Sequence, residues 1–398
     1  MSFRHEETCP WTTEIEQLRQ RGLLRIMPST SGIPGRVAIV NGKEVLNFSS
    51  NNYLGLAGHP KVMQAVSYTA LNYGAGSTAS RLIAGNTEIH RELESFIATW
   101  KSTEAALVFG SGYQANVGIL SALCGRGDLI VSDELNHASI IDGCRLSKAE
   151  VKVYPHRDLN HVEDFVRSGR HRRKLVVTES VFSMDGDWAP LKELDAICRR
   201  WGAVLMVDEA HATGIIGPEG NGLASELHVV PEIQMGTLGK AVGASGGYVA
   251  GRTALIDLLI NKARSLIYTT APPPAVMGAA LAALKIIVTE EGAERRRLLK
   301  ANVSKFNELL ASGPWAQPGA SHIVPVVIGD SERTMKLSAE CLSKGVFAHG
   351  IRFPTVPERT ARLRFTLMSD HTGEDLRKAV EILIETSAGL RPRGDIGG

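Results

Sequence analysis

The sequence has few cysteines, and their spacing offers no structural scaffold. They are Cys9, Cys124, Cys144, Cys198 and Cys341, an odd number that contains no C-x-x-C pair. This distribution argues against a disulfide framework and against a structural zinc site. We therefore expect no metal, and we expect the chain to work in a reducing, cytoplasmic compartment.

An excess of charge of one sign is also lacking. The 44 basic and 42 acidic residues nearly cancel, leaving a formal net charge of +2. The one basic cluster, residues 170–174, precedes an apolar run and indicates a solvated strand entrance. A field suited to gripping nucleic acid is absent, so we expect no nucleic-acid partner.

Long apolar runs are missing as well. The most apolar stretch, residues 271–288, opens with consecutive prolines and contains Lys285, which indicates a buried packing helix. Residues 1–11 lack the apolar core of a signal peptide. We expect no membrane partner.

Short β-rich runs alternate with helical stretches from about residue 60 to residue 252. This rhythm predicts an α/β domain with a largely parallel central sheet. In such sheets ligands bind beyond the carboxyl ends of the strands. The predicted strands are 105–109, 129–132, 151–154, 175–179, 204–208, 233–237 and 247–251.

The remaining residues flank this large domain, to which we assign residues 59–289. Residues 1–58 are predicted to form an N-terminal arm, with a helix over 13–22 and a hairpin over 37–46 that turns at Asn-Gly. Residues 290–398 are predicted to form a small α/β C-terminal domain. Its predicted strands are 323–328, 346–349 and 363–367, and its predicted helices are 333–344 and 373–387.

Lys240 lies in a run of glycine and small residues, 236–243, that offers no salt-bridge partner. A lysine in such a run is commonly a solvated turn residue. Upstream, however, a buried apolar strand ends in Asp208, followed closely by His211. Pyridoxal phosphate needs a lysine amine for its Schiff base and a carboxylate for its pyridine nitrogen. The three residues together therefore predict a pyridoxal phosphate site.

Residues 109–116 follow a predicted strand and open a helix, so their backbone N–H groups can hold a phosphate. The same run fits the dinucleotide fingerprint with Asp133 downstream, and a nicotinamide enzyme stays open from this motif alone. That alternative leaves Asp208, His211 and Lys240 without roles. Residues 243–247 fit the G-x-S-x-G pattern of serine hydrolases, but the strand follows the serine where that motif needs it to precede.

Two further polar residues follow predicted strands. An imidazole at His137 could stack on a flat cofactor ring, although a lone histidine is more often a capping or core residue. Ser183 could face the same site, although its ordinary role is that of a turn residue bonding its own backbone.

Several motifs spread over nearly the whole chain resemble those of the α-oxoamine synthases. These are fold-type I, aspartate aminotransferase-like enzymes that use pyridoxal phosphate to condense an amino acid with an acyl thioester and release carbon dioxide. The motifs lie at residues 47–56, 80–85, 88–94, 183–187, 207–214 and 237–241. Residues 350–357 and 360–367 look most like the biotin-pathway members, which implies L-alanine and a pimeloyl thioester, carried by coenzyme A or acyl carrier protein, as substrates.

Two alternatives remain within this resemblance. One is another synthase of the same chemistry, such as a glycine C-acetyltransferase, a 5-aminolevulinate synthase or a serine palmitoyltransferase. The other is a non-catalytic partner subunit, a class that lacks the lysine found here at Lys240.

The resemblance implies a role for each matching residue. Lys240 would bind the cofactor covalently and then act as general base, Asp208 would pair with the ring nitrogen, His211 would bond the ring hydroxyl, and His137 would stack on the ring. Further residues implied in cofactor binding are Gly112, Tyr113, Ser183, Thr237, Thr269 and Thr270, the last two across the interface of a homodimer. Residues implied in substrate binding are Arg25, Asn51, His137, Arg352, Thr355 and Arg364, with Arg364 preferred over Arg352 and Arg362 for the amino acid carboxylate.

Overall fold

The computed structural model describes residues 10–313, 315 and 321–389 of the chain. Residues 1–9 of the predicted arm, which include Cys9, and residues 390–398 of the predicted C-terminal domain lie outside the described residues. The strands are β1 (Thr30–Ser31), β2 (Val37–Val40), β3 (Lys43–Asn47), β4 (Ala105–Phe109), β5 (Leu129–Asp133), β6 (Glu150–Tyr154), β7 (Lys174–Glu179), β8 (Val204–Asp208), β9 (Ile233–Thr237), β10 (Gly247–Gly251), β11 (Ile323–Gly329), β12 (Val346–Phe347), β13 (His349–Ile351) and β14 (Ala361–Thr366).

Helices connect these strands and cover the sheets. They are α1 (Pro10–Gln20), α2 (Pro60–Tyr73), α3 (Glu88–Trp100), α4 (Gly112–Leu123), α5 (Ala138–Ser147), α6 (Leu159–Arg167), α7 (Leu191–Trp201), α8 (Leu223–Glu226), α9 (Thr253–Lys262), α10 (Arg264–Ile267), α11 (Pro274–Ile287), α12 (Glu290–Leu310), α13 (Ser331–Ser343) and α14 (Gly373–Gly389), with a 3₁₀ turn at Leu56–Gly58 and a π-helical turn at Arg81–Gly85. Within the described residues, no helix is both long enough and apolar enough to cross a membrane.

The central sheet has the strand order β4-β10-β9-β8-β7-β5-β6. Strands β6, β5, β7, β8 and β9 run parallel, whereas β10 is antiparallel to both of its neighbours, β4 and β9. The predicted α/β fold with a largely parallel sheet is therefore confirmed. Each predicted strand of this sheet agrees with the observed bounds to within one residue.

The sheet forms because its strands bury side chains on both faces, as parallel sheets require. In β7, Val176 packs into one apolar cluster, with α6 and α7, while Leu175 and Val177 pack into another, with α4, α5 and α9. This alternation follows from the two-residue period of a strand. Helices therefore cover both faces, and the carboxyl ends of the strands stay open for a site.

The predicted hairpin in the N-terminal arm is present as β2 and β3. Its turn residues Asn41 and Gly42 have φ of 50° and 80°, the positive values that a type I′ turn demands. The preceding helix differs from the prediction, since α1 begins at Pro10 and ends at Gln20. Gly22, with φ of 65°, adopts a left-handed conformation that does not continue a helix.

The C-terminal segment also differs from the prediction at one strand. The single predicted strand 346–349 is two short strands in different sheets, because β12 pairs with β3 of the arm while β13 pairs with β14. The other predicted C-terminal elements are present as β11, β14, α13 and α14. The division into domains at residues 58 and 289 stays a prediction.

Candidate active site

A cavity of about 180 Å³ lies at the carboxyl ends of the central strands. It collects side chains that the chain supplies from well-separated segments, as expected for a parallel sheet. Its lining residues are Gly112, Tyr113, Asn116, His137, Ser139, Glu179, Asp208, Ala210, His211, Met235, Thr237 and Lys240. The structure thus brings together the predicted residues Gly112, Tyr113, His137, Asp208, His211, Thr237 and Lys240.

Asp208 is the last residue of β8 and is buried. One carboxylate oxygen accepts a hydrogen bond from the backbone N–H of Ala210 at 2.8 Å, and the other accepts from Nδ2 of Asn116 at 2.8 Å. Asn116 also donates to Oγ of Ser139 at 2.9 Å. Because both oxygens have fixed donors, the carboxylate is held in one orientation.

Lys240 follows β9 in a tight turn whose glycine is required. Gly243 has φ of 72°, and a Cβ at this position would lie 2.5 Å from the backbone nitrogen of Ala57. This close approach requires a residue without a side chain at position 243. Burial lowers the pKa of Lys240 to about 8, although the carboxylates of Asp208 and Glu179 oppose that shift. The amine can therefore both hold and release a proton near neutral pH.

The two predicted histidines lie in different surroundings. Nε2 of His211 is 2.7 Å from Nζ of Lys240, and its Nδ1 is 2.8 Å from the Tyr53 hydroxyl. Burial, with the nearby charges of Lys240 and Arg364, holds the pKa of His211 well below its ordinary value. The imidazole of His211 is therefore neutral at physiological pH.

His137 caps helix α5, so it has the capping role that is ordinary for a lone histidine. Its Nδ1 accepts a hydrogen bond from the backbone N–H of Ser139 at 3.2 Å and lies 2.7 Å from the hydroxyl oxygen of the same residue. The ring lines the cavity as well. Burial lowers the pKa of His137, which keeps the imidazole neutral and its face apolar.

Glu179 ends β7 and is buried beside Asp208. Among the described residues, its Oε1 has no hydrogen-bond partner. Burial, reinforced by the charge of Asp208, raises the pKa of Glu179 to about 8. The cavity therefore holds two acids whose environments differ: both oxygens of Asp208 have donors, whereas one oxygen of Glu179 has none among the described residues.

The opposite end of the cavity is formed by the start of helix α4. Ser111 caps this helix by accepting a hydrogen bond from the backbone N–H of Gln114 at 3.1 Å. A Cβ at Gly247 would lie 2.7 Å from the backbone nitrogen of Gly112, so β10 approaches the helix start as closely as a glycine allows. Thr237 lies beside this point, and its hydroxyl donates to the carbonyl of Gly246 at 2.9 Å.

Other predicted residues lie outside the cavity lining. The carbonyl oxygen of Ser183 accepts a hydrogen bond from Nε of Arg364 at 2.6 Å. Thr269 and Thr270 occupy a partly exposed segment after α10, where the Thr269 hydroxyl bonds the Thr270 carbonyl at 3.4 Å. The structure does not bring these two threonines to the Lys240 cavity of the same chain.

The predicted substrate residues near the arm contact one another. Arg25 donates to Oγ1 of Thr355 at 3.4 Å. The guanidinium of Arg352 donates to the carbonyls of Gly22 and Leu24 at 2.9 and 3.0 Å. In this conformation Arg352 ties the arm to the C-terminal segment.

Arg362 and Arg364 are both buried on β14, but only one is paired with an acid. Arg362 forms an ion pair with Asp185. Arg364 donates to the carbonyl of Ser183 and to Oδ1 of Asn51, both neutral acceptors. Among the described residues, no carboxylate pairs with Arg364. It is therefore the arginine with the capacity to bind an incoming carboxylate.

Tyr53, Asn116 and Glu179 also belong to the site, although no role for them is predicted from the sequence. Tyr53 and Asn116 stand inside runs that were recognised, residues 47–56 and 109–116, so those motifs contained a usable signal. The one sequence signal for Glu179 is its position at the end of a predicted strand.

Residues 43–383 match the aminotransferase class I and II family. Because this match covers most of the chain, the protein belongs to that family. The class of protein predicted from Lys240, Asp208 and His211 is thereby confirmed.

Curated relatives narrow the class further. The 8-amino-7-oxononanoate synthase of Citrifermentans bemidjiense is 48% identical over 93% of this chain and 96% of its own length. That of Geobacter metallireducens is 49% identical over 95% of this chain and 97% of its own length. The resemblance to the α-oxoamine synthases is therefore confirmed.

Solved structures agree on the fold. A serine palmitoyltransferase from S. paucimobilis, with PLP and myriocin bound, has a TM-score of 0.89 at 29% identity and covers 95% of this chain and 97% of its own. An 8-amino-7-oxononanoate synthase from Francisella tularensis has a TM-score of 0.74 at 30% identity and covers 87% of this chain and 98% of its own. The predicted fold-type I architecture is confirmed.

Proposed function

We propose that the protein condenses L-alanine with a pimeloyl thioester, giving 8-amino-7-oxononanoate, carbon dioxide and free thiol, as a step of biotin biosynthesis. The proposal is carried by the arrangement of Lys240, Asp208 and His211 in one cavity, in a chain whose relatives of that name match over nearly its whole length.

The cofactor is pyridoxal phosphate, and the cavity fits it. The start of helix α4 offers backbone N–H groups to a phosphate. Asp208 is fixed in one orientation for a ring nitrogen, and Lys240 supplies the amine for covalent attachment. The neutral ring of His137 lines the same space. When bound, the cofactor supplies an electron sink for the α-carbon of the amino acid.

The side chains of this chain would divide the remaining work. Arg364 would bind the carboxylate of L-alanine with a bidentate pair, since no acid among the described residues pairs with it. Its neighbour Asn51 would help to orient that carboxylate. The amine of Lys240, with a pKa of about 8, would take the α-proton and return a proton later. The Asp208 carboxylate, held by its two donors, would lie beside the ring nitrogen.

We also propose that the protein is a homodimer and cytoplasmic. Large apolar side chains are exposed at Leu71, Ile83 and Tyr268, which supports burial against a second copy. Thr269 and Thr270 lie next to Tyr268, and in the dimer they would reach the phosphate held by the partner subunit. Sedimentation equilibrium tests the dimer, and Tyr268→Glu should weaken it.

The buried, unpaired thiols of Cys124, Cys144, Cys198 and Cys341 support a reducing compartment.

Covalent attachment can be tested directly. Borohydride reduction of the purified holoprotein followed by peptide mapping should place the cofactor on Lys240. Lys240→Ala should abolish both the label and turnover, whereas Lys262→Ala, at an exposed lysine of α9, should change neither. A label on any other lysine would contradict the assignment.

The role of Asp208 predicts a particular pattern of kinetic constants. Asp208→Ala removes a charge that matters when electrons move into the ring, so kcat should fall far more than the affinity for L-alanine. Steady-state kinetics and alanine titration measure the two separately. Equal losses in both would argue against this role.

Substrate choice is tested by specificity constants for alanine, glycine and serine against pimeloyl, acetyl, succinyl and palmitoyl thioesters. Alanine should exceed glycine by ~10- to 200-fold, because one methyl group contributes little discrimination. The second candidate is a serine palmitoyltransferase-like activity, favoured by the TM-score of 0.89 to that enzyme. Preference for serine with palmitoyl thioester would establish that candidate instead.

A further inference from the structure

A chain of hydrogen bonds joins Arg364 to Lys240 through three intervening side chains. Arg364 contacts Oδ1 of Asn51 at 3.3 and 3.4 Å through its two Nη atoms, and the Tyr53 hydroxyl contacts the same oxygen at 2.8 Å. The Tyr53 hydroxyl also lies 2.8 Å from Nδ1 of His211, whose Nε2 lies 2.7 Å from Nζ of Lys240. Tyr53 and His211 are both buried, so water does not compete for the contact between them.

The direction of this chain follows from the donors available. A guanidinium has only donors, so the atom of Asn51 that faces Arg364 must be its carbonyl oxygen. That oxygen accepts, and the Tyr53 hydroxyl must therefore give its single proton to Asn51. Because the Tyr53 proton is used there, Tyr53 must be the acceptor in its contact with His211. His211 is then the donor, which places the imidazole proton on Nδ1.

The second nitrogen of His211 is then determined. A neutral imidazole carries one proton, so Nε2 has a free lone pair and accepts from the amine of Lys240. Burial and nearby cations keep His211 neutral, which agrees with this assignment. The charged or titratable groups that act on His211 or Lys240 are His137, Glu179, Asp208, His322 and Arg364.

We propose that Tyr53 is a positioning residue that fixes the tautomer of His211, so that Nε2 is a proton acceptor facing the amine of Lys240. Arg364 sets the direction of the chain and Tyr53 transmits it, although Tyr53 does not line the cavity. The inference deepens the proposed function, because it rests on Lys240 as the residue that binds the cofactor and moves the proton.

Tyr53→Phe removes the acceptor for the Nδ1 proton of His211. A buried N–H group without a partner is costly, so the proton should move to Nε2. Nε2 would then face Lys240 as a donor, which favours the neutral amine over the ammonium. The midpoint for deprotonation of Lys240 should fall by about one pH unit, the effect expected for one lost hydrogen bond.

The tautomer can be measured by ¹⁵N NMR of the full-length, cofactor-free protein labelled at histidine, with His211→Gln to assign the signal. The wild type should carry the proton on Nδ1, and Tyr53→Phe should carry it on Nε2. The pH dependence of the rate at which the cofactor-free chain captures pyridoxal phosphate gives the Lys240 midpoint. Tyr248→Phe is the matched control, since it removes another buried hydroxyl, one bonded to Thr213.

Asn51→Ala provides a second, independent route to the same result. It frees the Tyr53 proton to be donated to Nδ1 of His211, so the tautomer should shift while the Tyr53 ring and hydroxyl remain. The inference is overturned if His211 keeps its proton on Nδ1 in Tyr53→Phe, or in Asn51→Ala if Tyr53→Phe does not fold. These measurements use no substrate, so a wild-type protein that fails to condense alanine would refute the proposed function and leave the tautomer result intact.

Discussion

Glu179→Gln should make the cofactor-free protein more stable near pH 8, although it removes an ionisable residue from the candidate site. Glu179 is buried, its Oε1 has no hydrogen-bond partner among the described residues, and the carboxylate of Asp208 lies close enough to disfavour a second negative charge. Glutamine has the same shape and resembles the protonated acid. The substitution therefore removes only the ability to ionise.

The sign and size of the effect follow from the pKa. Burial raises the pKa of Glu179 from 4.5 to about 8. Between these two pH values the folded chain binds a proton that the unfolded chain has lost. The associated stabilisation is complete below about pH 4.5 and is lost as pH rises through about 8, with a slope of at most ~1.4 kcal/mol per pH unit. Summed over the window, the wild type should lose on the order of 4 kcal/mol relative to the variant.

Urea unfolding of both cofactor-free proteins at pH 5, 6, 7 and 8 measures this difference. Removing the cofactor matters, because a ligand that binds only the folded chain adds its own pH dependence. Titrating groups that do not interact with Glu179 contribute equally to both proteins and cancel in the comparison. Glu340→Gln, at an exposed position on α13, should follow the wild type at every pH. Parallel curves for the wild type and Glu179→Gln would show that Glu179 ionises normally and would refute the reasoning.

Three further outcomes are expected. Lys101→Met should lower the free energy of unfolding, measured by urea titration, by about 3–5 kcal/mol, because it leaves the buried carboxylate of Glu209 unpaired. The double variant with Glu209→Gln should recover much of that loss. Gly247→Ala should weaken pyridoxal phosphate binding at least tenfold in a fluorescence titration, because its Cβ would press on Gly112 at the start of α4, where the phosphate would bind. Unchanged affinity would contradict the packing described there. Arg364→Lys should raise the KM for L-alanine by roughly 10- to 100-fold through loss of a bidentate pair, with a smaller change in kcat, and an unchanged KM would remove Arg364 from the carboxylate site.

The sequence predicted the parts of this fold that depend on local chemistry. The Asn-Gly turn specified its hairpin, and the buried strands of the central sheet were found because continuous apolar runs bounded by turn residues have few alternatives. Lys240, Asp208 and His211 were found because their functional groups match one cofactor's needs. Sequence could not separate β12 from β13, since the switch between two sheets depends on partners elsewhere in the chain.

The residues that were missed act through contacts between distant segments. Tyr53 meets His211 across 158 positions, and Asn116 meets Asp208 across 92 positions. Neither residue type announces such a role, because a buried tyrosine or asparagine is ordinary in a core. Glu179 gains its altered pKa only from the packing of neighbouring strands. These roles are properties of the assembled sheet, which a single sequence does not display.

The place of β10 in the central sheet has a consequence for folding. Among the strands that the structure describes, β4 pairs only with β10, which lies about 140 positions later in the chain, and the start of α4 follows β4 directly. A growing chain that ends before residue 251 therefore lacks the strand that holds the phosphate end of the cavity in place. Such non-local pairing slows folding, because the chain must lose the entropy of loop closure before the stabilising strand contacts can form. The cofactor should accordingly be captured late, as a ligand that locks an almost complete sheet, and it should not act as a nucleus around which the early strands assemble.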